Sequence, residues 1–139
     1  MLPNSARELI LSGTALAHMI TLNPDGSPQV SVVWAGLDGD HIITGHFGRY
    51  RKITNLLRDP RIALSFAGQT PLPNGMHPNL VVYGTAVVAE GGAPELVSQL
   101  AKSYVASDFD YPLPPGPPTG YVIRTTAQRI SGVGPWMKP

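Results

Sequence analysis

The sequence predicts one mainly β domain over residues 1–139: a small barrel, closed or partly closed, of six strands with short helices between them. Three observations carry that expectation. Gly and Pro, 15 each in 139 residues, exceed a fifth of the chain, too many for a helical bundle and suited to short strands joined by turns. Apolar residues recur with period 2 in segments divided by dense turn signals. At 42% hydrophobic and 14% charged, a chain of this length can bury one core and has no room for two ordinary domains. A barrel also removes the sheet edges that an open sheet would have to protect.

The elements follow in order. Ser5-Ala6-Arg7-Glu8 has the spacing of a capping box, so a short helix is expected to about Leu11, ended by Gly13. Thr14–Leu22 reads as a strand, and Asn23-Pro24-Asp25-Gly26-Ser27-Pro28 as a turn, because Asp-Gly favours positive φ and Pro fixes its own. Gln29–Leu37 is a second strand, Asp38-Gly39-Asp40 a second hairpin turn and His41–Gly45 a third strand, together a β-meander. The period then becomes helical over Arg49–Arg58, with Ile53, Leu56 and Leu57 on one stripe, until Asp59-Pro60 stops it. Arg61–Ala67 is a strand and Gly68–Pro78 a loop. Asn79–Ala89 is a long strand whose Gly84 predicts a bulge or a close approach. Ala93–Ala106 is an amphipathic helix, 107–118 a Pro-rich connection and Tyr121–Ile130 the last strand.

Charge narrows the function. A net charge of +1 argues against a nucleic-acid partner, and the absence of cysteine excludes disulfides, thiolate zinc sites, iron–sulfur clusters and thiol catalysis. No stretch approaches the ~18–20 apolar residues that span a bilayer, and no leader pattern opens the chain, so a cytoplasmic protein without membrane insertion is expected. The near-zero total conceals a concentration. Between 49 and 61 lie Arg49, Arg51, Lys52, Arg58 and Arg61 against Asp59 alone, a local +4 that leaves −3 for the remainder. This cluster opens at a helix start, where free amides and the dipole already favour an anion and basic residues are otherwise misplaced. A solvated helix face is the other reading of the same charges.

Other chemistry is thinly signalled. His18, His41, His46 and His77 lack metal-ligand spacing, so no metal is expected; His46 alone stands beside the cationic cluster. There is no nucleophile elbow and no Gly-rich phosphate fingerprint, and no catalytic residue is assigned. Trp136, outside any strand, is expected at an interface or a pocket mouth.

Asp25-Gly26-Ser27-Pro28-Gln29-Val30, Asp38-Gly39-Asp40-His41-Ile42, the element Arg51-Lys52-x-x-Asn55-Leu56-x-x-Asp59-Pro60-Arg61 and then Val82-Tyr83-Gly84-Thr85-Ala86 follow one another in order. Together they resemble the pyridoxamine 5′-phosphate oxidase-like split β-barrel superfamily. Short length and the terminal Gly134-Pro135-Trp136 are most similar to its deazaflavin-dependent branch. The resemblance implies a six-stranded split β-barrel with short helices that binds coenzyme F420, or FMN as in other branches. It implies a homodimer with the cofactor at the subunit interface. It also implies an F420H2-dependent reductase passing hydride to an unsaturated, electron-poor small molecule such as a quinone or enone. Carried over by position, Arg51 and Lys52 contact the cofactor phosphate, and Arg49 helps with an anionic oligoglutamate tail. Gln29, Val30, Ser31, Val32, Val33 and Trp34 lie along the ring, Thr44, Gly45 and His46 stand at the end of the next strand, and Asn79 stands where oxidase relatives carry a cofactor-contacting Gln. The chain lacks the oxidases' C-terminal Arg-containing substrate motif, which argues against vitamin oxidation. The alternatives are an FMN-dependent oxidoreductase of the same fold and a non-catalytic barrel that carries a cofactor or haem.

Overall fold

A computed structural model describes residues 1–137. Its elements are α1 (Asn4–Leu11), β1 (Ala17–Leu22), β2 (Pro28–Val33), β3 (Gly36–Asp38), β4 (His41–His46), α2 (Arg51–Arg58), β5 (Arg61–Ala67), β6 (Asn79–Glu90), α3 (Ala93–Tyr104) and β7 (Tyr121–Val133). All seven strands form one antiparallel sheet in the order β2-β1-β5-β6-β7-β4-β3. The sheet therefore has seven strands rather than six, and no ladder closes it.

The extra strand comes from a break in the expected strand Gln29–Leu37. After Val33 the chain leaves one edge of the sheet, and two residues later it enters the other edge as β3. Three Cα steps reach at most about 11 Å, so the two edges curl close together without hydrogen-bonding: a split barrel. The expected three-strand meander is thus two hairpins, β1–β2 and β3–β4, on opposite edges. Tyr104 of α3 holds the crossing. Its hydroxyl accepts from the Ala35 amide at 3.1 Å and faces the carbonyl oxygens of Ala15 and Ala35 at 3.1 and 3.2 Å, while its ring stacks on Trp34 at 5.5 Å.

Period 2 fills the interior. Ala17, Met19, Ile42, Leu64, Phe66, Leu80, Val82 and Ile123 alternate inward along their strands and are buried, with Ile10 of α1 and Ile53 and Leu56 of α2 packed on them. Leu57, expected on the same stripe, is 52% exposed. Gly84 has both of its expected consequences. The β6–β7 register shifts at Tyr83/Gly84, and a Cβ there would lie 1.9 Å from the Thr126 carbonyl oxygen. The capping box does not form: the helix begins at Asn4 behind Pro3, with no side-chain cap, which leaves Ser5 inside the first turn. Trp136 is 7% exposed within the core cluster rather than at a pocket mouth, and its Nε1 has no acceptor among the described residues.

Candidate functional site

The split creates a cleft. Where β2 hands over to β3, the barrel wall is interrupted, and α3 packs on β4 and β7 outside it. Gly45 permits that approach, since a Cβ there would lie 3.0 Å from Val97 Cγ2 and 3.5 Å from the Ala93 carbonyl oxygen. Between these elements lies a cleft of about 360 Å³. Six expected residues line it: Val32, Val33, Trp34, Gly45, His46 and Lys52. Leu16, Phe47, Tyr50, Val97, Leu100 and Tyr111 complete it, and no role in this wall is legible for them in the sequence except that aromatic Tyr50 and the 107–118 connection stand out there.

The aromatic wall is ordered. Trp34 meets Tyr111 edge to face at 6.1 Å, and Tyr111 in turn stacks on Phe47 at 6.1 Å with 15° between the planes. Phe47 follows β4 directly, whereas Tyr111 comes from the connection after α3. Lys52 brings the one cation of this lining. It is half-buried, its Nζ lies 3.4 Å from Ser31 Oγ and 5.4 Å from the Tyr50 ring centre, and burial draws its pKa below the usual lysine value. His46 forms the floor. It is 3% exposed and shares a 2.7 Å hydrogen bond between Nε2 and Thr44 Oγ1. Burial first, and then the Lys52 charge, push its pKa down to about 3, so the imidazole is neutral at ordinary pH.

A second, cationic hollow of about 430 Å³ adjoins the start of α2, lined by Pro24, Arg49, Arg51, Thr54, Asn55 and Arg58. The helix carries no acidic residue in its first turn and no side-chain cap, so its amino end is open to an anion. The five basic residues divide into two kinds. Arg58 donates to Asn55 Oδ1 at 3.3 Å and to the Leu22 carbonyl, and Arg61 pairs with Asp59 at 2.7 Å. Arg49, Arg51 and Lys52 have no carboxylate partner among the described residues. Asn55 is the hidden support: 1% exposed, it donates to Thr21 Oγ1 at 3.1 Å and Asn23 Oδ1 at 3.0 Å, tying α2 to the β1–β2 hairpin.

The other expected residues are dispersed. Gln29, Ser31 and Val33 share the side of β2 that faces Lys52, whereas Val30 points outward and is 56% exposed. Thr44 is fully buried beneath His46 and offers nothing to the cleft directly. Asn79 starts β6 opposite Val133, with its side chain donating to the His77 carbonyl at 3.4 Å, and lines neither cavity. Loop 68–78 lines neither cavity. No cluster of three or more metal-ligating side chains occurs among the described residues.

The family model described as pyridoxamine 5′-phosphate oxidase matches residues 4–134. The chain belongs to the pyridoxamine 5′-phosphate oxidase family. Several solved structures share the fold of this family member. An F420 reductase is 24% identical, with a TM-score of 0.71 and 89% of this chain and 94% of the other covered. A conserved hypothetical protein of Mycobacterium tuberculosis is 18% identical over 95% of this chain and 84% of its own, with a TM-score of 0.72. A heme binding protein of Mycobacterium smegmatis is 22% identical over 99% of this chain and 57% of its own, with a TM-score of 0.64. A comparison with curated proteins finds no match. Likeness at these identities establishes the fold, which this family member shares with proteins named for different ligands.

Proposed function

We propose that this member of the pyridoxamine 5′-phosphate oxidase family is a coenzyme F420-dependent reductase acting on an uncharged, electron-poor, unsaturated small molecule. The observation that carries the reading is the pairing of an aromatic cleft, which Tyr50 and Lys52 line, with a cationic hollow lined by their chain neighbours Arg49 and Arg51. FMN presents one phosphate, which the start of α2 with Arg51 and Lys52 would satisfy. A hollow beyond it, lined by Arg49, Arg51 and Arg58, suits a ligand with further carboxylates, as an oligoglutamate tail has. Haem suits the cleft less well, because the one histidine lining it has Nε2 engaged by Thr44.

Bound there, the reduced deazaflavin supplies a hydride, and the chain supplies position and environment. Trp34, Phe47 and Tyr111 give the ring flat apolar walls, and Lys52 brings a positive charge into the cleft one residue from Arg51 of the cationic hollow. The substrate carbanion equivalent needs one proton. Neutral His46 is no acid, which leaves the Tyr50 hydroxyl, on the cleft rim, and water as sources.

A second copy completes this reading. Val30, Ile20, Ala63 and Tyr83 are register partners in one outward row across β2, β1, β5 and β6, and Val30 and Tyr83 are 56% and 39% exposed. Val32, in the same outward set, also lines the cleft, so a twofold partner seated on this row would reach the cleft rim. Among the described residues no helix is long and apolar enough to cross a membrane. The direct test of activity is oxidation of F420H2 by a simple 1,4-quinone or cyclic enone. Acceptor-dependent oxidation is expected; reduced FMN turning over while F420H2 does not would overturn the reading.

A further inference from the structure

Beside the cleft lies a third cavity that none of the preceding roles uses. A hollow of about 220 Å³ lies beyond Phe47 and Tyr111, lined further by Pro112, Leu113, Pro114 and Pro118. Phe47 and Tyr111 belong to both cavities, so the two hollows meet at their stacked pair. No charged side chain lines this hollow, in contrast to the arginine-lined one at α2. It is also preorganised. Its three prolines have fixed φ, the Leu113 amide donates to the Tyr111 carbonyl at 2.9 Å, and Lys102 Nζ donates to the Phe109 carbonyl at 3.2 Å, holding the segment to α3.

We infer that this hollow is a substrate subsite for an uncharged aliphatic extension carried by the hydride acceptor. The inference rests on the proposed reductase activity and narrows its substrate class. An acceptor whose electron-poor ring occupies the main cleft extends its apolar substituent past the Phe47–Tyr111 edge into a pocket that needs no rearrangement. A phosphate or carboxylate at the same position meets no counter-charge from the lining side chains, so phosphorylated acceptors are disfavoured. The lining selects by length and polarity, because apart from the Tyr111 hydroxyl it offers apolar surface and no hydrogen-bonding side chain.

Steady-state oxidation of F420H2 by a short 1,4-quinone and its straight-chain alkyl homologues tests this. In the wild-type protein KM is expected to fall roughly two- to fourfold per added methylene until the hollow is filled, with kcat little changed. Leu113→Asp is expected to abolish that dependence while leaving the chainless quinone with wild-type kcat and KM. Unaltered kinetics with the chainless quinone also show that the variant is folded, and Leu113→Ser replaces it if it is not. Chain-length-independent KM in the wild type, or the same dependence in the variant, overturns the subsite. Failure to bind F420, measured separately by tryptophan fluorescence, overturns the reductase reading and the subsite with it.

Discussion

Lys52→Ala and Arg51→Ala each weaken F420 binding by roughly 10- to 100-fold, about the loss of one charge-assisted hydrogen bond to a phosphate. The double variant loses more than either single one. Neither change unfolds the protein. Arg51 is exposed and has no carboxylate partner among the described residues, and Lys52 makes a long contact with Ser31 and stands 5.4 Å from the Tyr50 ring centre, so stability moves by no more than about 1 kcal/mol. The two variants differ in character. Lys52 stands inside the aromatic cleft, already partly stripped of water, so its removal also alters how the ring sits and any absorbance shift on binding. Arg51 faces the α2 hollow, and its loss is expected to flatten the salt dependence of affinity. Calorimetric titration of both variants checks the point; wild-type affinity in both would remove the anchor assignment.

His46 gives the largest pH effect. Its folded pKa is depressed to about 3 while the unfolded imidazole titrates at its ordinary 6.5, so between those values the unfolded chain holds a proton that the folded chain refuses. Stability is therefore fully present above pH about 6.5 and falls as pH drops toward 3, with a slope approaching 1.4 kcal/mol per pH unit. Between about pH 6 and pH 4 this single group removes roughly 2–3 kcal/mol. Burial is the first cause and the Lys52 charge the second, so Lys52→Ala raises the lower end of the pH range over which stability is lost and makes the total loss smaller, without removing it. His46→Gln keeps a partner for Thr44 and does not titrate; its denaturant-unfolding curves should lack this part of the slope. A wild-type slope in that variant would mean that the proton is taken up elsewhere, for example on the carboxylates of Asp25, Asp40 and Asp59, whose hydrogen-bond partners hold them below the usual range.

The residues that were legible in sequence are those fixed by local pattern. Inward alternation, the Gly84 bulge, the stop at Asp59-Pro60 and the cationic start of α2 each follow from a few neighbouring side chains. What was not legible depends on distant parts of the chain. Nothing at Trp34-Ala35 signals a change of sheet edge, because the break is imposed by curling of the whole sheet and secured by Tyr104, some seventy residues on. Phe47 and Tyr111 form one wall because a Pro-rich connection returns to β4, and loop paths carry no periodicity. Asn55 was visible as part of the family-like element, but its burial beneath the β1–β2 turn was not, nor was the diversion of Arg58 and Arg61 to structural bonds. The charge count of five thus overstates the free cations, which are Arg49, Arg51 and Lys52 around the start of α2.

The central claim is that the aromatic cleft and the arginine-lined hollow together select a deazaflavin bearing an anionic tail. It is tested most directly by titrating the wild-type apo-protein with F420 and with FMN under identical salt, following quenching of Trp34 in the cleft wall. Saturable quenching by both is expected, with F420 tighter by roughly tenfold, the contribution of a few partly exposed ion pairs to its tail. Tight FMN binding with no detectable F420 binding would contradict it.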